Sequence, residues 1–436
     1  MKRLTFIVAV ALLLSVANAD AKKPKKAKLP AVNPIDLTIR QEIAQTPEKS
    51  GYYYYAYPYT TDSLAPVPAG FKPIYISHYG RHGSRWNSSE SLPAKLYSIF
   101  KKQNQAGNLT EEGVEMMGML RAAREHAKGH GGELSPLGNA QHKAIAARMY
   151  ARFPEMFPAG DTIIARSTTV PRCIISMSSF CESLKENNPK LVIKRYASPG
   201  DMKILAFHSK EAKAIYDDEQ EWKEDFNRKR DSLDMAQKTL SRLFKDPSKI
   251  KDRPKTVRDL QEIAVTTQNI NGLDVDMLKF FDSEDLYNIW KAEDYKNYVR
   301  HGNSVEGKRA GAKSAKSLLK DILDLADESL AGKRTNVDLR FGHDIYLLRL
   351  YALMDIEGAN ASVKGIDEAS RVWQSYRITP MAANLQLVIF SNPAGEKIAT
   401  IRINERPAKV AGLKEFAPGY YKWSELEAKW HEALNS

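Results

Sequence analysis

Arg81-His82-Gly83-Ser84-Arg85 sets one imidazole between two guanidinium groups. Two distant segments carry matching chemistry: Arg172, just after Pro171, and the pair His343-Asp344. If folding brings these together, cationic and neutral nitrogens surround one anion site with a carboxyl at its edge. That set suits a phosphate monoester. The ester is dianionic and resists anionic nucleophiles, whereas a neutral imidazole nitrogen can attack phosphorus and form a phosphohistidine. Arginines hold the non-bridging oxygens bidentately and stabilise charge in the transition state. A protonated Asp supplies the proton that an alkoxide leaving group needs, and water then hydrolyses the phosphohistidine with the same Asp as base. No cofactor and no metal are called for.

The elements that must position these groups are readable. Lys72 to Tyr79 is a short apolar run with the look of a buried strand, and it ends at Arg81. Ser135-Pro136 reads as an N-cap followed by the first helical residue, with Ile145, Met149 and Phe153 as a core stripe. Asp161 to Thr169 reads as a strand and Pro171 to about Leu184 as a helix, so Arg172 falls in a first helical turn after a strand. Val337 to Phe341 and Asp344 to Met354 repeat that pattern, with His343 between. Leu385 to Phe390 and Ile398 to Ile403 form a hairpin around Asn392-Pro393-Ala394-Gly395. From about 200 to 330 the chain is helical and charged. The expected fold is α/β: a three-layer α/β/α core with a mostly parallel central sheet and an inserted, mainly helical cap. The expected organisation is a signal peptide at 1–19, a Lys-rich linker at 20–34, a discontinuous core at 35–200 and 331–436, and the cap at 201–330.

Lys2 and Arg3 precede an apolar run from Phe6 to Leu14, and Ala17-Asn18-Ala19 gives a signal-peptidase pattern. The chain is therefore expected to be exported, periplasmic or secreted after cleavage near Ala19. No later stretch is apolar enough for a membrane span. Cys173 and Cys181, eight residues apart on one helix, would be separated by about 12 Å of rise, beyond the ~7 Å Cα limit of a disulfide. Two free, buried thiols follow. The net charge of +12 falls to +10 without Lys2 and Arg3, and Asp20 to Lys28 carries +4 of that, leaving about +6 on the body. That modest bias favours small anionic ligands. No basic stripe with interleaved aromatics points to nucleic acid. A monomer acting on a phosphate-ester substrate is expected.

Arg81-His82-Gly83-Ser84-Arg85 resembles the RHGxR signature of the histidine phosphatase superfamily, in the branch of histidine acid phosphatases, phytases and multiple inositol polyphosphate phosphatases. Four further segments resemble that branch in order: Leu134-Ser135-Pro136-Leu137-Gly138, Ser167 to Arg172, Phe341-Gly342-His343-Asp344 and Pro380 to Leu385. The resemblance implies that His82 is the nucleophile, Asp344 the proton donor, and Arg81, Arg85, Arg172 and His343 the phosphate ligands. It implies hydrolysis of phosphate monoesters, foremost inositol polyphosphates such as phytate. The alternatives are a broad acid phosphatase for sugar phosphates or 2,3-bisphosphoglycerate, and, from another class, an inactive phosphate-ester binding protein. The chain departs from the branch twice. Asn87 stands where a Pro is common, and His343-Asp344 matches the phytase pattern rather than the His-Ala-Glu of many inositol polyphosphate phosphatases.

Other residues carry weaker signals. Six tyrosines between Tyr52 and Tyr59 read foremost as an arm packed on the domain, with a ligand groove as the second reading. Arg166 competes with Arg172 for the phosphate. His78, mid-strand, reads as a hydrogen-bonded structural residue, and His126 with His130 has metal-ligand spacing without a third ligand. Lys308 and Lys313 read as solvated charge rather than substrate contacts. Asn87, Asn108 and Asn360 sit in glycosylation sequons.

Overall fold

The computed structural model describes residues 33–59, 65–208, 210–217, 220–233 and 236–436. The expected signal peptide and nearly all of the expected Lys-rich linker lie outside the described residues.

The strands are β1 (Lys72–Arg81), β2 (Thr162–Ser167), β3 (Val192–Tyr196), β4 (Val337–Gly342), β5 (Asn384–Ser391), β6 (Lys397–Ile403), β7 (Arg406–Pro407) and β8 (Tyr421–Lys422). They form one sheet in the order β3-β2-β4-β1-β5-β6-β7, with β8 also on β6. β2 is parallel to β3 and β4, and β4 is parallel to β1. β5 is antiparallel to β1 and to β6, so β6 again runs with β1. Five of the eight strands therefore point one way.

Side-chain alternation along the central strands feeds two separate cores, as a sheet buried on both faces requires. Ile76, Val388 and Phe390 pack with Ile145, Met149, Phe180 and Leu184, which belong to α4 (Pro136–Arg152) and α5 (Pro171–Asn187). Tyr75, Tyr79, Leu387 and Ile389 point the other way, towards Leu319, Ile322, Leu347 and Leu426. These belong to the helices Lys316–Leu330, Asp344–Leu353 and Trp423–Asn435. The three-layer reading of the sequence holds.

The other α-helices of the described chain are α1 (Pro34–Gln45), α2 (Ser91–Gln105), α3 (Glu111–Ala127), α6 (Pro199–Leu205), α7 (Lys210–Asp217), α8 (Gln220–Ser232), α9 (Gln237–Leu243), α10 (Arg253–Thr267), α11 (Ser283–His301), α12 (Ala310–Lys313), α15 (Ile366–Val372) and α16 (Ser375–Ile378), with Lys316–Leu330, Asp344–Leu353 and Trp423–Asn435 as α13, α14 and α17. Between β3 and β4 the described chain holds helices joined by loops, with one isolated bridge from Phe244 to Leu109. α6 packs on β2 and β4 and α13 on β1, so both ends of this stretch rest on the sheet. α10 and α11 pack on the 3-10 turn Pro47–Tyr54. No helix among the described residues is long and apolar enough to cross a membrane. Cys173 and Cys181 are free and buried, as their spacing implied.

Candidate active site

Strand register brings the chemistry-bearing residues together. Arg81 pairs with Gly342 across β1 and β4, and Ser167 pairs with Phe341 across β2 and β4. The carboxyl ends of three adjacent parallel strands thus deliver Arg81-His82, His343-Asp344 and the turn to Arg172 at one edge, where open α/β sheets collect ligands. Arg172 is the second residue of α5 and Asp344 the first of α14.

The loop after β1 is clamped by α4. Ser135, the N-cap of α4, donates through N and Oγ to the Ser84 carbonyl at 2.8 and 3.0 Å. Ser84 N donates to Gln141 Oε1 at 2.9 Å, and Ser84 Oγ donates to Asn269 Oδ1 at 2.7 Å. Gly83 and Gly138 meet backbone to backbone: a Cβ on Gly83 would lie 2.5 Å from the Gly138 carbonyl oxygen, and one on Gly138 2.3 Å from that of Ser84. On the other side, His82 N donates to the Gly342 carbonyl and the His82 carbonyl accepts from Ala382 N.

His82 is 2% exposed. Its Nδ1 lies 3.0 Å from the Gly83 carbonyl oxygen. A carbonyl only accepts, so the ring hydrogen sits on Nδ1 and the lone pair on Nε2. Burial, then Arg81, Arg85, Arg172 and His343, hold the imidazole pKa well below its ordinary value. The ring is a neutral base with one free nitrogen.

Around it lie the guanidiniums. Arg81 Nη1 donates to the carbonyls of Tyr53 and Thr379 at 2.5 and 2.8 Å, and Nη2 lies 3.8 Å from Asp344 Oδ2. Arg85 Nη1 donates to the Trp86 carbonyl at 2.8 Å. Arg81 Nε and Nη2, Arg85 Nε and Arg172 Nε are buried without a hydrogen-bond partner. Buried donors are seldom left so, and all three guanidiniums lie close enough to His82 to depress its pKa. The His343 ring stands edge-on to His82 with centroids 5.6 Å apart. Thr168 Oγ1 and Cys173 Sγ lie 3.4 and 3.7 Å from its Nε2, and burial with Arg172 brings its pKa down to about 4.

Arg166 does not compete with Arg172: it pairs with Asp321 at 2.5 Å, where Arg340 also binds. The tyrosine run turns out to be both arm and wall. Tyr52 and Tyr54 are buried in the core. The Tyr53 and Tyr54 rings stand 5.7 and 5.3 Å from the Arg81 and Arg85 guanidiniums, and Tyr52 is held at φ +43°, a strained backbone of the kind that gathers at functional sites. The expectation for His78 is corrected. Neither of its ring nitrogens has a partner; it packs on Phe180 and Phe341, and burial brings its pKa down to about 3. His126 and His130 serve Trp86: His130 stacks on it at 4.5 Å, and Trp86 Nε1 donates to His126 Nδ1 at 3.3 Å. Asn87 and Asn108 are buried, so two of the sequons are closed.

A cavity of about 230 Å³ opens over Arg85 and Asp344. Its far wall is α11, which contributes Glu293, Lys296, Asn297, Arg300 and His301, with Tyr52 and Tyr53 beside them. None of these α11 residues was singled out from the sequence. The available signal was a polar stripe at i, i+3, i+4, i+7 on a helix whose other faces are buried. Lys308 and Lys313 do not line this cavity.

The family model of the histidine phosphatase superfamily (branch 2) matches residues 80–403. The chain belongs to that family. It is a histidine acid phosphatase, a phosphoric monoester hydrolase. A curated relative, multiple inositol polyphosphate phosphatase 1 of Gallus gallus, is 24% identical over 363 residues, 78% of each chain. The fold is similar to that of a multiple inositol polyphosphate phosphatase of Bifidobacterium longum solved with phosphate (TM-score 0.74, 19% identity, 88% of this chain and 97% of that one). It is also similar to the phytase from D. castellii (TM-score 0.66, 15% identity, 95% of this chain and 88% of that one).

Proposed function

We propose that this phosphatase removes phosphate from inositol polyphosphates of the phytate type by way of a phosphohistidine on His82. The observation that carries the reading is the neutral His82 ring. Its hydrogen is committed to the Gly83 carbonyl on Nδ1, and its free Nε2 sits among guanidinium nitrogens that lack partners. Arg81, Arg85, Arg172 and His343 hold the phosphoryl oxygens, and the arginines stabilise the charge that builds as the P–O bond to the leaving group breaks. Asp344, 3.8 Å from Arg81 at the edge of the cavity, gives its proton to the departing alkoxide. The resulting carboxylate then takes a proton from the water that attacks the phosphohistidine, returning His82 to its neutral form.

The substrate class is supported by the cavity wall. Lys296 and Arg300 add positive charge one side chain away from the reacting phosphate, where a second phosphate of a polyphosphorylated ring would lie. The names of the relatives point the same way. The basic N-terminal residues, apolar run and Ala17-Asn18-Ala19 support export, which fractionation and N-terminal sequencing of the mature protein would test.

The deciding experiment has two arms. Brief mixing with ³²P-labelled substrate followed by denaturation should trap an acid-labile, base-stable phosphoenzyme in the native protein and none in His82→Ala, whose turnover should fall by about 10⁴-fold or more. Full turnover in that variant would remove His82 from the reaction. A time course on inositol hexakisphosphate against glucose 1-phosphate separates the substrate readings; equal kcat/KM on both would favour the broad acid phosphatase.

A further inference from the structure

One carboxyl beside the anion site has no part in the reaction. Glu262, on α10, accepts hydrogen bonds at Oε1 from Asn87 Nδ2 at 3.2 Å and from the Tyr54 hydroxyl at 3.5 Å. Asn87 is two residues beyond Arg85, and the Tyr54 ring lies 5.3 Å from the Arg85 guanidinium. Arg85 Nε, buried, has no partner. A negative charge here opposes the task assigned to Arg85, since it offsets the field that would hold a phosphate.

We propose that Glu262 couples anion binding at Arg85 to proton uptake. Ionised, it balances Arg85 while the site is empty; when a phosphate group arrives, Glu262 takes a proton from solvent and leaves Arg85 to the anion. The inference rests on the reading of Arg81, Arg85 and Arg172 as the phosphate site. The groups that face Glu262 fit the role. Arg85 and the Asn87 amide favour its charge from the β1 loop. Asp259 on α10 and Glu293 on α11 oppose it, Glu293 being tied to Arg258 at 3.7 Å, and Tyr52, Tyr53 and Tyr54 close the remaining side without a charge. Burial is the largest influence and lifts the Glu262 carboxyl above the usual carboxylate range. An anion on Arg85 removes one of the two influences that favour ionisation, so binding and protonation assist each other. Glu262 therefore acts through Arg85 as a positioning residue. It makes the site hold anions more tightly as pH falls.

Sulfate is the probe, because it keeps the geometry of phosphate and stays dianionic from pH 5 to 7.5. Its inhibition constant against an aryl phosphate should rise with pH by up to about tenfold per unit above the Glu262 ionisation. In Glu262→Gln, which keeps the acceptor oxygen for Asn87 and Tyr54, the rise should be several-fold shallower across that range, the remainder belonging to Asp344 beside Arg81. Calorimetry of sulfate binding in two buffers of different ionisation enthalpy should count fewer protons taken up by the variant than by the native enzyme. Asn87→Ala removes a donor that favours the charged form and should move the rise to higher pH, which keeps the test available if Glu262→Gln does not fold. Identical pH slopes in native enzyme and Glu262→Gln, or an unmoved slope in Asn87→Ala, would overturn the coupling while leaving the anion site standing. No sulfate inhibition in the native enzyme at any pH would overturn the anion site and the coupling with it.

Discussion

The two walls of the active site are built in opposite ways. The loop Arg81–Arg85 is held on every side. Backbone of α4 closes on Gly83 and Ser84, Ala382 and Gly342 bond the His82 backbone, and Thr379 and Tyr53 hold Arg81. The α11 wall is held by side chains instead: Arg349 meets His301, Arg258 meets Glu293, and Arg300 lies over the Trp222 ring. Lys296 and Asn297 reach the cavity from one helical face, beside the single acid Glu293 and the base Arg300. Covalent chemistry at one phosphorus needs fixed geometry. Recognition of the rest of a polyanion needs only charge at about the right distance. Under the function proposed above, the rigid wall sets the reaction and the α11 wall selects the ester that reaches it.

The largest effect that would sharpen this contrast is at Asp344. Asp344→Asn keeps the shape but has no acid proton to give. Loss of general acid catalysis should lower kcat on alkyl phosphates, inositol phosphates among them, by about 10²–10⁴-fold. Turnover of p-nitrophenyl phosphate, whose leaving group needs no proton, should fall far less. Equal losses on both substrates would show that Asp344 acts on binding or folding instead.

Next is the glycine pair. In Gly138→Ala the new methyl would sit 2.3 Å from the Ser84 carbonyl oxygen and 2.9 Å from its nitrogen. Neither atom is the end of a flexible side chain, so the loop must move. A loss of about 2–3 kcal/mol is expected in denaturant melts, with kcat falling more than KM rises. Unchanged kcat would mean that the loop geometry is looser than the contacts imply.

These two regions were not equally legible in the sequence. Ser135-Pro136, Arg172 after Pro171 and His343 before Asp344 are local signals: a cap or a helix start fixes where each side chain goes, whatever the rest of the chain does. Strand register then needed only the apolar runs of β1, β2 and β4. Glu262, Lys296 and Arg300 are different. Each is an ordinary charged residue on an amphipathic helix, and only the way α10 and α11 pack on the Pro47–Tyr54 turn directs them at the site. That packing depends on contacts hundreds of residues apart. His78 shows the converse failure. A histidine in a strand is expected to find a hydrogen bond, but the ring is enclosed by Phe180 and Phe341, and no local pattern announces those neighbours.

That enclosure gives the rigid wall a cost in acid. His78 and His142 lie beneath it, with pKa values brought down to about 3 and about 4, chiefly by burial. In the unfolded chain both titrate near 6.5. Between about pH 6.5 and 4 the unfolded state therefore binds protons that the folded state refuses, and stability falls as pH drops. The contribution is about 1.4 kcal/mol per histidine per pH unit at most. His78→Phe replaces a neutral buried ring by another and should lessen the acid slope of stability by about 1 kcal/mol per unit. An unchanged slope between pH 6 and 4.5 would mean that another group carries the acid sensitivity.

The smallest effect tests the α11 wall directly. Lys296 lines the cavity from α11, apart from the Arg81–Arg85 loop, and in the proposed function its charge meets the part of the substrate that does not react. Lys296→Ala should raise KM for inositol hexakisphosphate by about five- to tenfold, about 1 kcal/mol, in the range of a partly exposed charge pair. It should leave kcat within about twofold, because uniform binding energy is lost rather than transition-state stabilisation. KM for p-nitrophenyl phosphate, which has no second phosphate, should hardly move, and added salt should narrow the gap between native and variant on the polyphosphate. If both substrates suffer alike, Lys296 belongs to the reacting site and the division between a rigid wall for chemistry and a charged wall for selection is drawn in the wrong place.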